Sequence, residues 1–311
     1  MHLINISSNP PLQAPATDAL LERFIAAQDV GPASRALYRR TLKLFFEWVR
    51  RNSLDISEIS RPHVLAYKAD LLDSGKSTLT VASYITAVRK FYEWTEANRY
   101  YPNVAKGIKS PRRRQQFRKQ PLSPDQAREL IDYFADKPLR NFAIINLLLR
   151  TGLRTIEIVR ANVGDIAHKG YSRVLMVHGK GRDEKDNFVI LTEKAYNPIR
   201  EYISERGNPP NDAPLFVSES NNSRDRRLTT RSISHIAKEG LRAIGLDDRS
   251  FSAHSLRHTT AVNILRAGGS LETAQYTLRH TNPATTQIYT ATIREEMRLA
   301  NSGEALLDTV Y

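Results

Sequence analysis

His254-Ser-Leu-Arg257-His258, then Leu278-Arg-His280, then Thr285-Thr-Gln-Ile-Tyr289 bring three histidines, two arginines and a tyrosine to loop and helix-end positions near the C-terminus. These side chains suit attack on a phosphodiester. Arginine and histidine match the charge that builds on a phosphoryl group, and a tyrosine hydroxyl beside such cations is expected to ionise more readily and act as a covalent nucleophile. Each piece alone also has an ordinary reading. His254 and Arg257 fit a cap and ion-pair arrangement at a helix start, His280 fits a satisfied structural histidine, and Tyr289 fits a core residue with a wet hydroxyl.

Reading outward supplies more charge. Residues 141–150 form an apolar helix stopped by Gly152, so Arg154 stands at a helix junction with Glu157 three residues on. Segments 171–178 and 188–191 are rich in valine and isoleucine and predict a β-hairpin, with Gly179-Lys180-Gly181 in its connection. Ser123-Pro-Asp-Gln predicts a capped helix start, and helices are expected over 229–245, 254–267, 271–278 and from Pro283 onward, with Asn282 as N-cap of the last. Upstream, residues 18–27, 33–51, 61–74 and 78–98 carry apolar residues at helical spacing. They predict a bundle whose aromatic residues, Tyr84, Phe91, Tyr92 and Trp94 among them, belong to its core.

A length of 311 residues favours two domains. The net charge of +13 points to a polyanionic partner, nucleic acid first. Residues 1–108 hold 14 basic and 10 acidic side chains, 109–120 hold six basic and none acidic, and 121–311 hold 26 and 23. Nearly half of the net charge therefore sits in the segment with Lys109, Arg112, Arg113, Arg114, Arg118 and Lys119, which reads as a basic linker lying along a DNA backbone. The absence of cysteine excludes disulfides, thiol nucleophiles and thiolate metal sites, and the eight histidines lack ligand spacing. With no apolar run of spanning length and no leader pattern, a cytoplasmic, nucleoid-associated protein is expected.

Taken together, Thr151-Gly-Leu-Arg154 with Glu157, the hairpin Gly179-Lys180-Gly181, His254-Ser-Leu-Arg257-His258, and Leu278-Arg-His280 nine residues before Tyr289 occur in the order found in the tyrosine recombinases, the family of phage and transposon integrases and chromosome-dimer resolvases, which the chain resembles from about residue 18 to 295. The resemblance implies a mainly α fold with a small β-sheet (α+β), closing as a C-shaped clamp on DNA. It implies an N-terminal tail over 1–17, a SAM-like core-binding bundle over 18–108, a linker over 109–120, a catalytic domain over 121–295, and a tail over 296–311 that docks on a neighbouring protomer. By the same resemblance Tyr289 is the nucleophile, Arg154 and Arg257 clamp the phosphate, His254 helps accept the tyrosine proton, His280 supports the phosphate or Tyr289, Lys180 protonates the leaving oxygen, and Glu157 orients Arg154. No cofactor or metal is implied. The partners would be duplex DNA bearing a specific site and three further copies of the chain, with accessory proteins in some systems. A type IB topoisomerase and a silent DNA-binding protein of the same fold are the competing readings.

The chain departs from the family pattern at Arg279, where glycine usually precedes the histidine. That side chain is expected to face solvent, with a third cation at the phosphate as the alternative. Lys185 is the weaker of two candidate general acids, and His258 is read as packing support. The start of the first helix near residue 18 argues for a recombinase that binds core sites only.

Overall fold

The computed structural model describes residues 17–111, 119–178, 184–280, 282, 284–300, 304, 307, 308 and 310. The chain divides into two compact units, Met1–Gln115 and Gln116–Tyr311.

The first unit is a helical bundle of α1 (Thr17–Ala26), α2 (Pro32–Arg51), α3 (Arg61–Asp73) and α4 (Thr78–Ala97). Gly31 is extended and Pro32 supplies a ready helical φ, so the chain turns directly into α2. Within α2 the buried residues Leu42, Phe45, Phe46 and Val49 repeat at i, i+3, i+4 and i+7, one apolar stripe facing the other helices. They pack with Leu20 and Phe24 of α1, Val64 and Tyr67 of α3, and Ile85, Val88 and Phe91 of α4. Each such side chain contributes about 1.5–3 kcal/mol by leaving water. Tyr84, Phe91 and Tyr92 are buried in this core, so they hold the bundle together. The Trp48 indole N–H donates to Asp70 Oδ2 at 2.6 Å and ties α2 to α3.

The second unit begins with α5 (Pro124–Ala135), whose reciprocal Ser123 and Gln126 hydrogen bonds form a capping box. It continues through α6 (Leu139–Thr151), α7 (Thr155–Arg160), β1 (Ile166–Lys169), β2 (Ser172–Val177), β3 (Asn187–Ile190), α8 (Glu193–Glu205), α9 (Thr230–Ala243), α10 (Ala253–Arg266), α11 (Leu271–Leu278) and α12 (Ala284–Ala300). The strands form an antiparallel sheet in the order β1-β2-β3, with Ile166 opposite Leu175 and Val174 opposite Ile190. Helix α6 is buried continuously from Ala143 to Leu148 and packs on α5, α8 and α10, which makes it the axis of the unit.

Three elements lie outside the sequence expectations: α7, β1 and α8. In α8, Pro198 sits inside the helix and has no N–H for the Lys194 carbonyl four residues back. The buried Asn146 side chain of α6 donates to that carbonyl at 2.6 Å. A neighbouring helix thus satisfies the group that proline leaves open.

A smaller apolar cluster joins Ala261 and Val262 of α10, Leu278 of α11 and Tyr289 of α12, with Leu265 and Ile293 against it. It anchors α12 apart from the main core. Arg266 of α10 adds a two-pronged ion pair to Glu296 of α12, at 2.5 and 3.0 Å.

Candidate active site

Two chain junctions meet over α10. At the first, Gly152 ends α6 in the left-handed region (φ 60°) and Arg154 is the extended N-cap of α7. Glycine is needed here twice over, because a Cβ would also run into Leu278 Cδ2. At the second, Arg279 ends α11 at φ 55°, a conformation that costs a non-glycine residue roughly 1–2 kcal/mol, and His280 follows. Arg257 of α10, 2% exposed, bridges the two: its guanidinium donates to the carbonyl of Gly152 and, at 2.5 Å, to that of Leu278.

Glu157 makes a second bridge. Its Oε2 accepts from the Arg154 backbone N–H at 2.7 Å and from Arg279 Nη2 at 2.8 Å, while Oε1 accepts from Arg154 Nη1 at 2.8 Å. Arg279 is therefore not solvent-facing as expected: its side chain is 8% exposed and that of Glu157 5%. The expectation failed because a long side chain in the left-handed region folds back under the helix end, where Glu157 awaits it. Burial alone would raise the Glu157 carboxyl, but Arg279 and Arg154 outweigh it and hold the pKa below the ordinary value. Burial, Arg154 and Arg279 lower the Arg257 pKa to about 9, which leaves it cationic at pH 7. Arg154 and Arg279 share one carboxylate with Arg257 nearby, so the cluster of three guanidinium groups carries excess positive charge.

Tyr289 lies against this cluster and is 2% exposed. Its hydroxyl is 2.8 Å from His258 Nδ1. His258, read from the sequence as packing support, thus also touches the candidate nucleophile, and only its place one residue after Arg257 signalled it. The His258 ring packs edge-on against His254 at 4.5 Å, and the His280 ring lies parallel to that of Tyr289 at 6.4 Å. His280 Nδ1 is 2.9 Å from Thr286 Oγ1 in the first turns of α12.

Electrostatics in the resting site differ from the sequence expectation for the tyrosine. Burial raises the Tyr289 pKa to about 12, and Arg257 and Arg154 only partly oppose it. Desolvation, helped by neighbouring cations and rings, lowers His258 to about 3 and His280 to about 4. His254, which keeps an exposed edge, is also shifted down by burial and then by Arg257 and Arg154. These shifts leave His258 and His280 uncharged and Tyr289 protonated at neutral pH.

Arg154, Glu157, His254, Arg257, His280 and Tyr289 are thus gathered in one place. Lys180, with its flanking glycines, lies outside the described residues, as do Arg112, Arg113, Arg114, Arg118, Pro283 and Tyr311. Lys185 is held by both oxygens of Asp165 at 2.5 Å. Lys109 is exposed, whereas the Lys119 ammonium donates to the Arg249 carbonyl at 2.5 Å. Among the described residues there is no group of three or more histidine, aspartate or glutamate side chains able to hold a metal, and no helix long and apolar enough to cross a membrane.

Comparison with known proteins identifies the family. The phage integrase family profile matches residues 120–296, and that of the phage integrase N-terminal SAM-like domain matches residues 18–98. The chain is similar to the tyrosine recombinase XerD of Oceanobacillus iheyensis, 30% identical over 274 residues, covering 84% of this chain and 88% of the relative. It is also similar to XerD of Bradyrhizobium diazoefficiens, 29% identical over 306 residues, covering 93% and 95%. Among solved structures, the XerH site-specific recombinase bound to palindromic difH substrate in a post-cleavage complex shares the fold, with a TM-score of 0.76 at 19% identity over 94% of this chain and 86% of that one. Profile, relatives and fold concur: the chain belongs to the phage integrase family and is a site-specific tyrosine recombinase.

Proposed function

We propose that this chain cleaves and rejoins duplex DNA at a specific site through a covalent 3′-phosphotyrosyl intermediate. The observation that carries this reading is the placement of the Tyr289 hydroxyl, 2.8 Å from His258, in the field of the buried Arg257 and the half-buried Arg154 guanidinium groups. Tyr289 Oη attacks the phosphorus, the bond to the 5′-oxygen breaks, and the tyrosyl proton passes to the histidines while the leaving oxygen takes a proton from Lys180. Arg154 and Arg257 hold the non-bridging oxygens and stabilise the charge of the pentavalent transition state. Arg257 spends two of its five N–H donors on the Gly152 and Leu278 carbonyls, so donors remain for the phosphate. An arriving phosphate places negative charge beside His254, His258 and His280 and raises their basicity at the moment the proton must leave. Because Tyr289 and Arg257 are each 2% exposed, productive binding includes a local shift of α12 that opens the site. The energy of the broken phosphodiester is kept in the phosphotyrosyl bond, so rejoining needs only a 5′-hydroxyl.

In this reading the first unit and the linker contribute duplex binding around the site, and four copies assemble on two sites with the segment after residue 295 docking between neighbours. The relatives are named recombinases, which favours strand exchange over relaxation by a topoisomerase. The test is a nicked duplex carrying the recombination site. Wild-type protein is expected to form a covalent adduct, and Tyr289→Phe to bind the duplex without forming one. An adduct that survives Tyr289→Phe would reject the assignment.

A further inference from the structure

We propose that Arg279 is a positioning residue: through the carboxylate it shares with Arg154, it fixes the Arg154 guanidinium and the backbone carrying His280, and it makes no contact with DNA. The inference rests on the recombinase reading. Its support lies in where the side chain goes. Arg279 occupies a left-handed backbone that costs stability in any residue but glycine, so something must compensate. Its Nη2 meets Glu157 Oε2 at 2.8 Å and its Nη1 meets the Thr277 carbonyl at 2.8 Å, both under the end of α11. The turn is then closed by His280 N–H donating to the Gln275 carbonyl at 3.1 Å and by the Gln275 side chain donating to the His280 carbonyl at 3.2 Å. With Nη1 on the Thr277 carbonyl and Nη2 on Glu157, the guanidinium is already engaged within the protein, and its side chain is 8% exposed. The charge it sets against Glu157 also matters, because a carboxylate paired with Arg154 alone would neutralise that guanidinium more fully and weaken its pull on a phosphate.

Arg279→Gly tests this without threatening the fold, since glycine accepts the left-handed turn freely. On the nicked duplex, with the variant's thermal unfolding recorded alongside, DNA affinity and its dependence on salt are expected to match wild type. Single-turnover cleavage is expected to slow by tenfold or more, and Arg279→Lys to recover part of the rate. The groups facing the Glu157 carboxylate are Arg154, Arg279 and, through space, Arg257. Removing Arg279 should therefore move the acid limb of the cleavage pH profile upward, as Glu157 protonates more easily. The Arg279→Gly, Glu157→Gln double variant should be no slower than Glu157→Gln alone. A salt slope shallower by about one would make Arg279 a phosphate ligand instead. Unchanged cleavage, or independent effects that multiply in the double variant, would equally overturn the proposal. Wild-type protein that forms no adduct would reject the recombinase reading itself, a different result from wild-type cleavage left intact in Arg279→Gly.

Discussion

At the scale of single residues, the site holds its proposed nucleophile, Tyr289, back. A tyrosine with a pKa raised to about 12 by burial is scarcely ionised at neutral pH, so its reactivity depends on an acceptor already placed on the hydroxyl. In the proposed reaction His258, whose Nδ1 lies 2.8 Å from the hydroxyl and whose pKa is lowered by burial and by the cations and imidazoles around it, is that acceptor. The same burial predicts a stability profile. The folded pKa of His258, about 3, lies below its ordinary 6.5, so the unfolded chain binds a proton that the folded chain refuses between those values. Stability is therefore full above about pH 6.5 and is lost as pH falls through the window, by up to about 1.4 kcal/mol per pH unit for this group. His280, lowered to about 4, adds a similar contribution over a narrower range. Thermal unfolding of wild type and His258→Phe between pH 4 and 8 reads this directly. The variant is expected to be less stable at pH 7 by about 1–3 kcal/mol, because the buried tyrosine hydroxyl loses its hydrogen bond to His258. It is also expected to show a shallower decline on acidification and a slower cleavage step. Parallel pH profiles for the two proteins would mean that His258 titrates normally and does not hold Tyr289 as described.

At the scale of elements, the site is a joint between the end of α6 and the end of α11, and its tolerance to change follows from how closely the two ends approach. Gly152→Ala would meet both a left-handed backbone and the Leu278 side chain. The first costs roughly 1–2 kcal/mol and the second, as overpacking, about 1–3 kcal/mol. Denaturant unfolding should show a loss of that combined order, and cleavage should fall more than stability does, because Arg257 reads the positions of both carbonyls. A variant of wild-type stability would show that the joint is loose. Most of this joint was legible in the sequence, since a glycine stop before Arg154 and the histidine and arginine strings are local signals. The Arg279 pairing was not legible, because Glu157 is distant in the chain and nothing near Arg279 indicates which way its side chain folds. Helix α8 was hidden for a related reason. Pro198 reads as a breaker until Asn146, on another helix, is seen to satisfy the freed carbonyl. The helices of the first unit were plain because the stripe of Leu42, Phe45, Phe46 and Val49 needs no partner to be recognised.

At the scale of the whole molecule, the distribution of charge separates holding DNA from cutting it. In the proposed reaction Arg154 and Arg257 address a single phosphate, and part of their charge is already engaged with Glu157 and backbone carbonyls. The six cations of residues 109–120 have no acidic residue among them. Long-range attraction to a duplex should therefore draw on this segment more than on the catalytic cluster. For a protein that neutralises phosphates, the logarithm of affinity falls with the logarithm of salt by about 0.9 per contact. Arg112, Arg113 and Arg114 to glutamine should accordingly lower the slope by close to 3, if each arginine meets one phosphate. Lys119 is expected to contribute less than the arginines, because its ammonium is already bonded to the Arg249 carbonyl. At low salt and saturating protein, cleavage by the triple variant should match wild type, since the groups around Tyr289 are untouched. Binding measured across a salt series, with cleavage followed on the same nicked duplex, distinguishes the two roles. An unchanged slope would move the electrostatic footprint to other surfaces, and a cleavage defect at saturation would show that the linker also helps to assemble the site.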